Sequence, residues 1–287
     1  VSVQRVTTQT GVLVLAGPRS RDVLQKLTDT DLSNENFKWL TGKKINVGYA
    51  TAEALRVNFV GELGWELYIP MKNAKIKSVN FSGSNLEDVN FEGTTLIGCN
   101  FKNTNLSGCD FSEAKLSECD FQGANLSHSS FYSSTIDNSN FGFARMMYAF
   151  MKQTVINKSR LGGINARGSD FSFSKLTGVS LKGATLKYAD LNSCTLKEVD
   201  LTSANLIGVE LKDGQCSGVI LEEANLEGSN LTYAIMEGSN LKNAFLLEAN
   251  LHGTNFKNAN LSDAYLLDAN ISKAITEGAN LDNTILA

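Results

Sequence analysis

The sequence predicts a solenoid that follows a small α/β unit. From Ile76 to Leu286, every fifth residue is large and apolar, and the exceptions among these positions are Ala166, Cys216 and Thr276. The residue two positions before each of them is small, with Ile164 as the one larger side chain. A period of five fits neither a helix nor a flat strand. A short period held over about 200 residues indicates units that bury their apolar faces by stacking on one another.

The repeated units match a known pattern. Ala124–His128, Ala204–Gly208 and Ala259–Asp263 resemble the A(D/N)LXX unit of pentapeptide-repeat proteins. The resemblance covers residues 76–287 and implies an all-β fold, a right-handed quadrilateral parallel β-helix with four pentapeptides in each coil. The repeat count then predicts about ten coils, more closely between ten and eleven. At about 4.8 Å per coil, the rod would be roughly 50 Å long.

The large apolar residues support a coil of four pentapeptides independently. They alternate along the chain, with Phe at 81, 91, 101, 111, 121 and 131 and with Leu at 86, 96, 106, 116 and 126. On a four-sided coil, this alternation places Phe on two opposite walls and Leu on the other two. We therefore expect identical side chains to stack in ladders.

Residues 1–75 lack the period and are expected to form the α/β unit. Gly11–Ala16 has the apolar, β-branched composition of a short buried strand. Pro18 then favours the start of a helix, because the N–H of the first helical residue has no hydrogen-bond partner within the helix and proline lacks that group. Val23, Leu24 and Leu27 would form one apolar stripe on this helix. After a polar loop, alternation predicts strands over 54–60 and 65–69, joined in a hairpin at Gly61–Gly64.

This segment is also similar to a known domain. Leu15–Leu24 and Val60–Tyr68 resemble the folate-binding aminomethyltransferase domain of glycine-cleavage T-proteins, as carried by dimethylglycine and sarcosine dehydrogenases. The resemblance implies that Glu62 helps to hold a pterin ring. The catalytic Asp of that family would precede residue 1, and the solenoid replaces the barrel that should follow Pro70. We therefore expect a truncated segment over 1–75 that caps the first coil, since open solenoid ends expose apolar core.

In the stretch 142–168, residues 142–153 lose the Asn/Asp decoration of the repeat, but the large column continues through Leu161 and the small column through Ser159. We expect irregular but continuous coils there, with an inserted helix or loop as the alternative. Continuous coils would point Phe143, Met147, Tyr148 and Phe150 outward. A cluster of exposed large apolar residues indicates a partner-binding surface, and the alternative is that these side chains shield the coil edges.

Charge is uneven along the chain. The net charge is −4 overall, +3 for residues 1–75 and −7 for 76–287. Within the solenoid, 76–212 carries as many cations as acids, whereas 213–287 carries three cations and ten acids. An acidic surface is predicted in this last third, with Glu227, Glu248 and Asp268 on one wall in successive coils.

Candidate chemical groups are few. The five cysteines fall at inward positions, where a free thiol acts as a small apolar side chain, and one coil separates Cys99 from Cys119, within reach of a disulfide. His128 and His252 lie outside any catalytic pattern, and the Cys/His spacings of zinc sites are absent. We expect no catalytic residue, no metal site and no cofactor beyond the resemblance at Glu62. No apolar run is long enough to span a membrane.

These observations favour a non-enzymatic protein–protein interaction scaffold that presents flat walls. The alternative is an acidic DNA mimic that inhibits a type II topoisomerase, and a third hypothesis is a residual folate-binding aminomethyltransferase fragment. The expected partner is a protein of unknown identity, without direct nucleic-acid binding, and a homodimer through the uncapped C-terminal coil is a further expectation. The compartment stays open, with an intracellular one favoured and the mitochondrial matrix implied if the N-terminal resemblance reflects origin.

Overall fold

The computed structural model describes residues 10–16, 20–47, 50–59, 62–70 and 74–285. It contains an antiparallel sheet at the N-terminal side and a long parallel solenoid after it. In the described part of the chain, no helix has the length and apolarity needed to cross a membrane.

The N-terminal unit is a four-stranded antiparallel sheet with one short helix. Its elements are β1 (Thr10–Ala16), α1 (Ser20–Gln25), β2 (Gly42–Val47), β3 (Ala50–Phe59) and β4 (Glu62–Pro70). The strand order is β1-β4-β3-β2. A small core of Leu24, Leu32, Phe37, Ile45, Ala52 and Ala54 lies beneath it. The sheet therefore has its own apolar centre, separate from that of the solenoid.

The hairpin between β3 and β4 is confirmed, but its position and the preceding loop differ from the prediction. Phe59 pairs with Glu62, so the expected turn residues 62–64 already belong to β4. The polar loop contains β2, an edge strand in which Ile45 is the buried side chain. Among the described side chains of β2, Ile45 is the one buried residue, which gives too short an alternation to recognise. Leu27 follows the helix and is exposed, and Pro18 lies outside the described residues.

The solenoid begins at Lys75 with a seven-stranded parallel sheet. Its strands are β5 (Lys75–Lys77), β6 (Thr95–Ile97), β7 (Lys115–Ser117), β8 (Thr135–Asp137), β9 (Val155–Asn157), β10 (Lys175–Thr177) and β11 (Thr195–Lys197). Each strand pairs in register with the corresponding strand of the next coil, as Ile76 does with Leu96. The predicted coil of four pentapeptides is therefore the structural unit.

Single parallel bridges hold the other three walls together. We name the four walls of the coil A to D. The bridges link every twentieth residue along wall A from Asn80, along wall B from Asn85 and along wall C from Asn90. Wall D carries β5–β11. These seven strands mark about six turns, fewer than the coil count predicted from the repeats. From Gln215 onward, wall D is held by single bridges instead of strands, and pairing between successive coils continues to Tyr265 and Ile285.

The interior consists of side-chain ladders. On one wall, Phe101 stacks on Phe121 with ring centroids 4.7 Å apart, and on the opposite wall Phe91 and Phe111 are also 4.7 Å apart. The two ladders touch edge to face across the axis, at 6.1 Å between Phe91 and Phe101. The centroid separations of the stacked and edge-to-face pairs are both favourable for aromatic rings. Over these coils the rod is therefore a filled column.

Each corner of the coil requires a left-handed residue. From Ser78 to Asn283, every residue at this five-residue spacing has positive φ, and glycine occupies only a minority of these corners. A left-handed conformation costs a non-glycine residue roughly 1–2 kcal/mol. The inter-coil hydrogen bonds must offset this cost at most corners, which makes the coils interdependent along the rod.

The backbone over 142–168 is regular, so the irregular stretch expected there is not seen. Arg145 bridges Asn165 on wall B, and Phe150 bridges Asp170 on wall C. Met146, Met151 and Ile156 stay fully buried. The change of composition affects mainly outward positions. The one inward change exchanges sizes, with Ile164 in the small column and Ala166 in the large one, and both residues stay buried.

Replacing Phe111 by Ala should destabilise the rod by about 3–5 kcal/mol, the range for deleting a buried aromatic ring. Phe111 loses stacking with Phe91 and Phe131 and an edge contact with Phe121. Guanidinium denaturation followed by far-ultraviolet circular dichroism measures the change.

Phe143→Ala is the control, because its side chain is 70% exposed and surface changes usually cost less than about 0.5 kcal/mol. Equal midpoints for the two variants would contradict the filled-column description.

Candidate interaction surface

The four aromatic and apolar residues predicted to face outward do so at two different edges. Phe143 lies where walls A and B meet, whereas Met147 and Tyr148 lie where walls B and C meet, and Phe150 lies on wall C. Phe143, Tyr148 and Phe150 are exposed, and Met147 is half-buried. The structure thus groups Met147, Tyr148 and Phe150, which we call the aromatic patch, and separates Phe143 from them.

Neighbouring rings extend the aromatic patch. Tyr148 stacks on His128 at 5.3 Å between ring centroids, and Phe150 stacks on Tyr132 at 5.9 Å. His128 and Tyr132 belong to the preceding coil. The aromatic patch therefore crosses two coils and presents ring surface that stays in contact with solvent.

The rings at the corners also cover glycines. Phe143 and Tyr148 have left-handed backbones, and a Cβ added to Gly163 or Gly168 in the next coil would lie 2.6 Å from their rings. The same arrangement recurs where Tyr233 covers Gly253. Shielding of the coil edge thus accounts for one face of each ring. His128 of the preceding coil also stacks on the Tyr148 ring, and 52% of Tyr148 nevertheless remains accessible.

Cations outnumber acids in the stretch that contains the aromatic patch. Residues 142–189 contain one acid, Asp170, and the eight cations Arg145, Lys152, Lys158, Arg160, Arg167, Lys175, Lys182 and Lys187. Some of them lie over aromatic rings, as Arg167 does over Tyr188 at 5.7 Å and Lys152 over Phe173 at 5.4 Å. We call this stretch, in which eight cations face a single acid, the basic belt.

The basic belt was missed because the charges of 76–212 were counted together, where the two signs balance. Residues 76–141 carry three cations and eight acids, which cancel most of the belt. A count over windows of two or three coils would have revealed it. The solenoid is therefore acidic, then basic, then acidic along its axis.

The three acids singled out in the last third are all exposed. Glu248 and Asp268 occupy the same corner position on successive coils, with Gly228 before them, at the edge between walls B and C. Glu227 lies one residue before Gly228, at the same edge. These carboxylates thus follow the same edge of the rod as Tyr148 and Arg167, several coils further along.

The five thiols are free and buried, as core side chains. Burial raises the pKa of Cys109 to about 12. The contact between Cys99 and Cys119 raises the pKa of Cys119, with burial adding to the effect, and lowers the pKa of Cys99 to about 7. Only 1% of Cys99 is exposed, so access rather than acidity limits its reaction.

Groups suited to metal binding or catalysis are scarce in the described residues. No cluster of three or more His, Cys, Asp or Glu able to hold a metal ion occurs among them. Nδ1 of His252 lies 2.7 Å from Ser272 Oγ, and its Nε2 lies 3.2 Å from Tyr233 Oη. The Ser272 hydroxyl donates to Asn270 Oδ1, so these groups pair with one another at an exposed corner. The backbone of Glu62 begins β4, and its side chain lies outside the described residues.

Comparison with known families divides the chain in two. The model named GCVT N-terminal domain matches residues 1–77. The model named Pentapeptide repeat region matches 71–142 and 114–191, and that of Pentapeptide repeats (8 copies) matches 174–213, 215–246 and 248–286. Together, the two repeat models cover the chain from residue 71 to residue 286.

The curated relatives resemble the N-terminal segment. Mouse mitochondrial dimethylglycine dehydrogenase is 50% identical over 68 residues, which are 24% of this chain and 8% of that protein. Mouse mitochondrial sarcosine dehydrogenase is 48% identical over 60 residues, 21% of this chain and 6% of that protein. The aminomethyltransferase of Thermoanaerobacter sp. is 40% identical over 76 residues, 26% and 20% of the two chains. The chain thus spans less than a tenth of the length of the dehydrogenases that it matches.

Solved pentapeptide-repeat structures are also similar. HetL from Nostoc sp. strain PCC 7120, described as involved in heterocyst differentiation regulation, has 23% identity and a TM-score of 0.40, covering 73% of this chain and 87% of its own. QnrB1, a plasmid-mediated fluoroquinolone resistance protein, has 20% identity and a TM-score of 0.38, covering 72% and 91%.

The folded chain should show no thiol that reacts with Ellman's reagent at pH 8, and all five should react in guanidinium. Thiolates are the reacting species, and burial withholds every cysteine from the reagent. A native-state reaction of one thiol or more would place a cysteine at the surface and contradict the core assignment.

Proposed function

This chain belongs to the pentapeptide-repeat family through residues 71–286, and from that membership we propose that it is a non-enzymatic scaffold that binds a protein partner through the aromatic patch. The proposed contact residues are Met147, Tyr148 and Phe150, with Phe143 at the opposite edge of wall B. The partner would present an acidic surface, since Arg145 and Arg167 of the basic belt lie beside Met147 and Tyr148 on wall B.

The observation that carries this proposal is the position of Tyr148. A tyrosine in the left-handed region is disfavoured relative to glycine, asparagine or aspartate, yet Tyr148 adopts this conformation with half of its surface exposed. Exposed aromatic rings flanked by arginine are the residues that most often dominate protein–protein binding energy. The rigid coil holds them without a loss of backbone freedom on binding.

The same geometry supports a scaffold in preference to an enzyme. A cavity of about 170 Å³ at the last coils is lined mainly by apolar residues such as Leu261, Leu266 and Leu281. An open groove of about 470 Å³ on wall B is lined by Glu223, Phe245 and Tyr265 among others. The thiols that could act as nucleophiles are buried. A small-molecule site normally combines a concave pocket with convergent polar groups, and the described walls favour broad contact instead.

Inhibition of a topoisomerase by DNA mimicry remains a second candidate on one observation, the acidic stretch 213–287. A mimic needs carboxylates spaced along the rod like duplex phosphates. The basic belt interrupts such a series, which limits it to about four coils. Folate binding, the third hypothesis, has only the sequence resemblance at Glu62 in its favour.

Changing Met147, Tyr148 and Phe150 together to Ser should reduce partner recovery at least tenfold, because loss of two or three central contacts typically removes more than about 1.4 kcal/mol each. The measurement is affinity capture of the full chain after crosslinking in cells, with nuclease treatment, quantified by mass spectrometry. The same captured complex should weaken with salt, since the partner is acidic.

Tyr233→Ser is the matched control. Tyr233 also has a left-handed backbone, covers a glycine and is 50% exposed, but it lies outside the basic belt. Equal losses in both variants would show a general effect of removing corner rings and would refute the aromatic patch. Capture of a topoisomerase that depends on Glu227, Glu248 and Asp268 would favour the mimic, and loss of the partner with nuclease would point to nucleic acid.

A further inference from the structure

We propose that wall B is a self-association surface, on which a second copy of this chain docks antiparallel about a twofold axis at Asn205. This inference goes beyond the aromatic patch, because it concerns the whole of wall B and names the occupant. Its basis is the order of charges along that wall, in which a basic half is followed by an acidic half with a neutral coil between them.

The basic half of wall B runs from residue 142 to residue 188. Across the wall and its two edges, the coils 142–148, 162–168 and 182–188 carry Arg145, Arg167, Lys182 and Lys187 and no acid. Arg145, Arg167 and Lys182 are exposed, and Lys187 is half-buried. Lys182 also pairs with Asp200 of wall A at 3.0 Å, a contact that leaves 62% of its side chain exposed.

The acidic half runs from residue 222 to residue 268. The coils 222–228, 242–248 and 262–268 carry one cation, Lys242, and the six acids Glu222, Glu223, Glu227, Glu248, Asp263 and Asp268. Exposed rings lie at the wall centre, where Phe245 and Tyr265 stack at 5.0 Å. The coil 202–208 between the halves has no charged residue on this wall.

A twofold axis between two facing walls, perpendicular to the rods, reverses the order of coils but keeps each edge against the same edge. With the axis at Asn205, the coil 182–188 of one copy faces 222–228 of the other, 162–168 faces 242–248, and 142–148 faces 262–268. The interface is then isologous, so every contact occurs twice.

This register brings opposite charges together at matching corner positions. Lys187 faces Glu227 on wall B. Lys182 and Glu222 meet at the edge shared with wall A, where Lys182 pairs with Asp200 and Glu222 accepts from Asn240 Nδ2 within each copy. Arg167 faces Leu247, the residue next to Glu248. At the wall centre, Arg145 faces the Tyr265 ring, a suitable partner for a guanidinium, and Lys242 faces Gly162 and meets no cation.

Neighbouring registers match less well. Moving the axis by half a coil toward Asn225 places Lys182 against Lys242. Moving it by half a coil toward Thr185 places Arg167 against Glu227, but it places Lys182 against Thr202 and Lys187 against Ile207, so both lysines lose their acidic partners. Like charges in contact disfavour a wrong arrangement. The axis at Asn205 is therefore the register that the sequence of charges selects.

The expected dimer is weak and sensitive to salt. Six coil steps of about 4.8 Å give a contact about 30 Å long and only one wall wide, which places it at the low end of specific interfaces. Edge charge pairs of this kind contribute mainly steering and specificity. We expect a dissociation constant in the micromolar range that rises with ionic strength.

Sedimentation velocity of the full chain over a concentration series at low and high salt tests the proposal. Lys187→Glu and Glu227→Lys should each weaken dimerisation at least tenfold, and the double variant should restore it to within about threefold, as an interaction that only the pair provides. Lys212→Glu makes the same charge change at an exposed position off wall B and should leave the dimer unchanged.

A second measurement fixes the register. In an Asn205→Cys variant, the two new thiols face each other across the axis, so a short bifunctional maleimide should link two copies. Asn165→Cys places the thiols four coils apart in the dimer, about 19 Å along the rod, and should not crosslink. The five native thiols are buried and contribute no background.

A chain that stays monomeric at all concentrations, a double variant that stays monomeric, or crosslinking at position 165 in place of 205 would overturn the proposal. The dimer would cover Phe143, Met147 and Tyr148, so the two surfaces overlap in coil 142–148. The tests remain distinguishable, because Lys187 and Glu227 lie outside the aromatic patch and the capture experiment reads a different protein. Conversely, loss of that partner in the Met147, Tyr148 and Phe150 variant leaves the charge pairs of wall B intact.

Discussion

The hydrogen bonds that join each coil to the next are the interaction on which the rest of the structure depends. Amide groups beside the wall centres and at the corners donate to carbonyls of the following coil, as Phe101 N donates to Asp120 O at 2.6 Å. These bonds keep the corner residues in the left-handed region at a cost that a single coil could not offset. They also set the spacing that brings the Phe rings of successive coils to about 4.7 Å. The packing of the core, the conformation of the corners and the alignment of surface residues between coils thus all depend on these hydrogen bonds.

The interior could be predicted from the sequence almost completely. From Phe81 to Phe131 the large residues alternate between Phe and Leu, a pattern that a four-sided coil turns into ladders, and the structure shows those ladders. The pattern at 142–168 suggested irregularity because outward residues lost their usual chemistry. Inward residues decide the backbone here, and they stayed buried, with Ile164 and Ala166 exchanging the small and large positions. Secondary structure without a period was harder, as in β2, where Ile45 is the buried residue of an edge strand.

The surface could be predicted less well, because its meaning depends on which residues share a column. Tyr148 and Gly168 are far apart in the sequence, and only the register between coils shows that one covers the other. Arranging the sequence in rows of one coil each would reveal this pairing, together with the basic belt and the order of charges on wall B. A role for Glu62 could not be predicted from columns in this way, because it rests on a resemblance that covers a small part of the related enzymes.

The length of the rod changes in fixed steps of one coil. Every coil adds one identical rise of about 4.8 Å and returns the chain to the same corner. Deleting the whole neutral coil around Asn205 would therefore shorten the distance between the basic and acidic surfaces by one coil without rotating either. Deleting a single pentapeptide would instead turn everything beyond it by a quarter turn, moving the carboxylates of wall B to a neighbouring face. Insertions and deletions in such a chain therefore act as two separate evolutionary controls, one over distance and one over direction, while the packed interior stays the same.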